Sequence, residues 1–132
     1  LFGLWRFYSE RSNTKKENTM RTLNDYFITS HIPNVSSASQ TFVCVPDGGR
    51  IIKIITHNKA ATTGTAAISF EIDGVVVTDG GFNHVATSSA GKVTTTEPTA
   101  ANRVEEDGHI ECITDGGSTN SSKMEITFVI RR

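Results

Sequence analysis

The sequence lacks the features that most quickly define a protein's class. No apolar run approaches the roughly 18 residues of a membrane-spanning helix, which excludes a helical membrane anchor on this pattern. Only two cysteines occur among 132 residues, too few for a disulfide scaffold. The formal net charge is −1, so no global electrostatic argument favours nucleic acid as a partner. No apolar pattern repeats with a helical period. Charged residues make up 20% of the chain, which excludes a disordered polyelectrolyte. The hydrophobic residues and 11 glycines together give about 44% apolar content, the low edge of ordinary globular usage. The length suits one domain, with a core that needs no covalent staples.

What is present is a succession of short strands. Gln40–Val45 (QTFVCV) ends at Pro46-Asp47-Gly48-Gly49, and Arg50–His57 (RIIKIITH) follows. Thr65–Ile72 alternates and ends at Asp73-Gly74. Val75 resumes at once, the pattern of a two-residue type I′ hairpin. Further strands are expected at Phe82–Thr87, Lys92–Thr96, Arg103–Glu105, His109–Thr114 and Lys123–Ile130. Polar loops rich in Gly, Ser and Asn separate them, with DGGSTNSS at 115–122 the longest. About eight short antiparallel strands with turn signals every 8 to 12 residues indicate an all-β sandwich or jelly-roll-like barrel. Thr, Val and Ile dominate because branched side chains suit a pleated, half-buried surface.

Residues 1–39 read as an N-terminal arm and linker, and 40–132 as the β-sandwich domain. Leu1, Phe2, Leu4, Trp5, Phe7 and Tyr8 crowd one segment, followed by a polar, basic stretch. Residues 1–19 sum to +2 (Arg6, Arg11, Lys15 and Lys16 against Glu10 and Glu17), leaving −3 for the rest. The segment has neither the basic start nor the longer apolar core of a secretory signal. Two readings stand: a tail or upstream sequence before Met20, or an extended arm whose six apolar residues anchor on a neighbouring subunit. Residues 20–39 are expected to be a lead-in linker that Pro33 and Ser36, Ser37 and Ser39 keep irregular.

No catalytic constellation is legible. Asp47, Asp73, Asp79, Asp107 and Asp115 each precede glycine. Calcium loops need several oxygen ligands converging at short spacing, and these aspartates are solitary, so turn chemistry explains them. His31, His57, His84 and His109 show no metal-ligand spacing. Cys44 alternates with Phe42 and Cys112 with Ile110, so all four are expected to face the core as packing residues. His109 lies at an odd offset from Cys112 and should point to the opposite face, which argues against a thiol nucleophile. No G-x-S-x-G elbow or phosphate-binding glycine motif occurs. An enzyme reading would need carboxylates such as Glu71 and Glu111 to converge in the fold. No catalytic residue, metal or cofactor is therefore expected.

From Ile32 onward, about three quarters of the chain resembles a small structural protein of tailed bacteriophages. The stretches that carry the resemblance are IPNVSSASQTFVCVP, IIKI, IDGVVVTDGG, PTAANRV and DGGSTNSSKMEITFVI. They are turns and strand edges, so they specify a fold more than an activity. The resemblance implies a virion component of the head decoration, or cement, type. Such a protein would bind the major capsid protein on the outer surface of the head, stabilise contacts between capsomers as a homotrimer, and assemble in the host cytoplasm. It would engage neither nucleic acid nor membrane. The alternative is a tail fibre or receptor-binding β module. Its loops should then display aromatics for glycan stacking, and the loops at 58–64, 88–91 and 115–122 have none. The segment before Met20 lies outside the resemblance.

Overall fold

The computed structural model describes residues 24–84 and 90–132. Ten strands follow in order: β1 Asp25–Ile32, β2 Ser39–Val45, β3 Gly49–Asn58, β4 Ala66–Ile72, β5 Val75–Val76, β6 Phe82–His84, β7 Val93–Thr96, β8 Arg103–Val104, β9 Gly108–Thr114 and β10 Met124–Arg131. They form two five-stranded sheets. Sheet A runs β1-β10-β3-β7, with β8 also on β3; sheet B runs β2-β9-β4-β5, with β6 also on β4. Every pairing is antiparallel. Because β5 and β6 share one edge strand's place, and β7 and β8 another, ten strands fill eight lanes. Two four-lane sheets joined by alternating crossovers make the double-sheet jelly roll, within the all-β class expected.

The core lies between the sheets. Ile51, Ile54, Met124, Ile126, Phe128 and Ile130 from sheet A meet Val45, Ile68, Phe70, Ile110 and Cys112 from sheet B, all buried. Phe70 and Phe128 cross edge-to-face at 5.4 Å and join the two sheets directly. Each such side chain contributes roughly 1.5–3 kcal/mol by leaving water. A bulge permits this in β3: Val129 pairs with Lys53 but Ile130 with Ile51, leaving Ile52 unopposed. The extra residue resets the alternation, so Ile51 and Ile54 both face inward.

The turns follow their sequence chemistry. Asp73 and Gly74 have φ of 52° and 79°, and Ile72 pairs with Val75, which is the type I′ hairpin expected. Asp79 and Asp107 also sit at positive φ. The 115–122 loop is a hydrogen-bonded clamp. Asp115 Oδ1 accepts from the Ala67 and Gly117 N–H groups at 2.8 and 2.9 Å. Asn120 Oδ1 accepts from the Thr63 N–H at 2.7 Å, while the Val35 N–H donates to the Ser122 carbonyl and the Val35 carbonyl accepts from the Ser118 N–H. A Cβ on Gly117 would run into the Thr65 carbonyl, so that position requires glycine.

Two expectations are corrected. Residues 25–32, assigned above to a linker, form β1 and pair along their whole length with β10. The strand's inward residues are Tyr26, Ile28, Ser30 and Ile32; the polar Ser30 interrupts the apolar alternation that would have marked it. Phe42 and Cys44 do not face the core: Phe42 is 58% exposed and Cys44 is exposed. The run from Phe42 to Val45 is apolar on both parities, so the pattern sets the period but not the phase. Pairing with β9 turns Val43 and Val45 inward instead.

Candidate interaction surfaces

The six arm residues, Leu1, Phe2, Leu4, Trp5, Phe7 and Tyr8, lie outside the described residues. What the structure shows is where the chain enters the sandwich. The Arg132 N–H donates to the Asn24 carbonyl at 3.1 Å, and the Tyr26 hydroxyl donates to the Gly48 carbonyl at 2.8 Å. The Arg132 guanidinium stacks on Tyr26 at 5.0 Å and pairs with Asp47. Both termini of the described domain are thereby fixed beside the β2–β3 turn.

The residues singled out for chemistry separate in space. Cys112 is buried and Cys44 exposed, and both are free thiols. Burial pushes the Cys112 thiol up to about 12; the hydrogen bond with Ser30 acts against this and the Glu111 charge adds to it. A thiol so protonated is no nucleophile at neutral pH. His109 lies on the opposite face from Cys112, as its odd offset requires. It meets Phe42 edge-to-face at 5.3 Å. Among the described residues no three His, Cys, Asp or Glu side chains are placed to hold a metal ion. No helix among them is long and apolar enough to cross a membrane.

Glu71 and Glu111 do converge. They are direct cross-strand partners on β4 and β9, on the outer face of sheet B. Continuing the register across the sheet gives one row: Phe42–Glu111–Glu71–Val76. Phe42 and Val76 at its ends are 58% and 54% exposed. Among the described residues no cation pairs with either carboxylate. Neither residue lines the two open clefts, of about 580 and 230 Å³, at the Arg103 edge. Among the described residues the two carboxylates stand on the outer face of the sheet.

The outer face of sheet A bears rows of another kind. Asp25, Arg131, Arg50 and Arg103 are successive partners across β1, β10, β3 and β8. Arg131 grips Asp25 with Nε and Nη2 at 2.8 and 2.9 Å. This bond first, and the Arg131 charge after it, holds the Asp25 carboxyl below its usual range despite an opposing effect of burial. Arg50 and Arg103 have no ion-pair partner among the described residues. At the far end of the face, His31, Glu125 and His57 form a second row, and Lys123 pairs with Glu125 at 3.0 Å. That bond is the main cause of the lowered Glu125 pKa; His31 and His57 add smaller effects in the same direction. Sequence reasoning passed over the arginine row because nothing in the linear chain places position 50 beside 103 and 131. The crossovers of the jelly roll do that.

No protein-family profile and no curated protein sequence matches this chain. Solved structures do match in fold. A chain of the acid-stable capsid structure of Helicobacter pylori bacteriophage KHP30 superposes with a TM-score of 0.60 at 12% identity, over 82% of this chain and 87% of that one. A chain of the cyanophage Pam1 capsid asymmetric unit gives 0.53 at 10% identity, over 81% and 85%. A glycoside hydrolase family 43 arabinoxylan arabinofuranohydrolase from Bacillus subtilis gives 0.52 at 18% identity. There the match spans 80% of this chain but 21% of the enzyme. At these identities the shared property is the fold.

Proposed function

We propose that this chain is a structural component of a bacteriophage virion: a head decoration protein that binds the outer surface of the capsid and stabilises contacts between capsomers as a trimer. The observation that carries this reading is the jelly roll matched, over 82% and 81% of this chain, to chains of two phage capsid structures. The phage-like stretches support it, since they fall where the fold needs special backbone chemistry. DGGSTNSS forms the clamp loop, and IDGVVV holds the type I′ turn. The role proposed is non-catalytic, and the placement of Glu71 and Glu111 on the outer face of sheet B agrees with it. Within it, Leu1, Phe2, Leu4, Trp5, Phe7 and Tyr8 act as anchors on a neighbouring subunit or on the major capsid protein. Rigid aromatics supply much contact area at small entropic cost. A cytoplasmic site of assembly fits two free thiols.

The test is the copy number and position of the chain in intact particles, read by cryo-electron microscopy. Density on the outer shell at three-fold and quasi-three-fold positions is the expected result. Density confined to the tail would move the assignment to adhesion, and absence from particles would overturn it. Particles lacking the chain should also lose resistance to heat and osmotic shock. For the arm, Trp5→Ala with Phe7→Ala should weaken particle binding by about 2 kcal/mol or more; unchanged occupancy would remove the arm from the mechanism.

A further inference from the structure

The structure holds two directly opposed pairs of like charge, of opposite sign, on different sheets. Glu71 faces Glu111 on sheet B. Arg50 faces Arg103 on sheet A, with Arg131 next in the same row. Like charges directly across strands destabilise a sheet. Among the described residues neither pair makes a salt bridge, although Asp73 shares a cleft with Arg50 and Arg103. Exposed apolar surface lies beside the glutamate pair and at the far end of the arginine row. Phe42 and Val76 end the glutamate row, and Phe27, 70% exposed, lies one row from Arg131 on the same face. The five strands of sheet B contain no Lys or Arg; the basic-type side chain on the same outer face of β9 is His109, two residues from Glu111.

We infer that the two rows are halves of one interface, and that the occupant of the Glu71–Glu111 face is the Arg50–Arg103 edge of a second copy of this chain. Guanidinium groups pair bidentately with carboxylates, so two arginines set against two glutamates relieve both repulsions at once. Phe42 and Val76 supply an apolar rim at the two ends of the glutamate row. Because the two halves are different surfaces, the contact is heterologous, head to tail. It closes into a ring if the rotation between copies permits and runs on as an open assembly if it does not. The inference deepens the self-association in the reading above by naming its surface. It is tested on the isolated chain, whereas attachment to a capsid is tested on particles, so either can fail alone.

The experiment is sedimentation velocity on the full chain and two charge reversals, Glu111→Lys and Arg103→Glu, over a range of concentration. The wild type should associate with rising concentration, and 0.5 M salt should weaken that association. Each reversal alone should remain monomeric. An equimolar mixture of the two should associate again, because the intact basic half of one chain meets the intact acidic half of the other, and the two reversed halves match each other. The double variant carrying both reversals should regain association with its charges exchanged. Circular dichroism on each variant checks that the sheets remain. A wild type monomeric at all concentrations, or reversals that associate as the wild type does, would overturn the inference. So would a mixture that behaves as the sum of its parts.

Discussion

Sheets A and B share one core, yet their outer strands carry opposite charge. The strands of sheet A hold Arg50, Lys53, Arg103 and Arg131 against Asp25 and Glu125, a sum of +2. Those of sheet B hold Glu71 and Glu111 alone, a sum of −2. On sheet A part of the charge is answered locally, by Arg131 on Asp25 and Lys123 on Glu125. On sheet B none is, among the described residues. A sandwich needs its inner faces for stability; its outer faces are free to be specialised. The proposed interface uses the rows whose charges make no salt bridge among the described residues.

Several changes would break or sharpen this contrast. The largest effect should come from the shared core. Phe128→Ala removes half of the inter-sheet aromatic pair and should cost about 3–5 kcal/mol in chemical denaturation. Both faces should be lost together, since neither sheet buries its inner surface alone. Gly117→Ala should come next, at about 1–3 kcal/mol, because the added methyl meets the Thr65 carbonyl; a neutral result would mean the clamp loop can yield.

Smaller changes separate the faces. In dilute, monomeric protein Glu111→Gln should stabilise the fold by about 0.2–1 kcal/mol, by relieving repulsion from Glu71. The same substitution should weaken self-association, so stability and assembly move in opposite directions. A loss of stability instead would show that the carboxylate has a partner within the chain.

The thiols report on the same geometry. A thiol reagent should label Cys44, on the outer face of sheet B, in the native protein, and Cys112 only on unfolding. The Cys112 pKa is raised in the fold, so its contribution is intact below the unfolded value near 8.5. It is lost progressively as pH climbs from there toward about 12. Unfolding midpoints of the wild type should therefore fall more steeply above pH 9 than those of Cys112→Ala. The smallest effect belongs to Asp25, whose pKa is lowered chiefly by its bond to Arg131. Its contribution is present above the unfolded value near 3.9 and is lost as pH falls through the lower folded value. Asp25→Asn should therefore make the decline below about pH 4 shallower.

Much of this architecture was legible in the sequence. Where β-branched residues alternate and Asp-Gly punctuates, as from Thr65 through Val76, strand and turn type follow from local chemistry. β1 was not legible, because Ser30 occupies an inward position where its hydroxyl bonds the buried Cys112 thiol. That contact reaches across the core and leaves no local signature. The orientation of Phe42 was misjudged because both parities of its strand are apolar, so only pairing with β9 decides which side faces in. The candidate surfaces were half visible. Glu71 and Glu111 were recognisable as carboxylates that a fold might unite. The arginine row was not, since 50, 103 and 131 become neighbours only through the crossovers of the jelly roll.

The claim that the acidic row of sheet B receives a second copy is tested most directly by carboxylate footprinting. The full chain would be treated with a carbodiimide and an amine at low and at high protein concentration, and each glutamate's labelling read by mass spectrometry. Labelling of Glu71 and Glu111 should fall as concentration rises while that of Glu125, on the opposite sheet, holds constant. Constant labelling at all three positions, or protection of Glu125 instead, would contradict it.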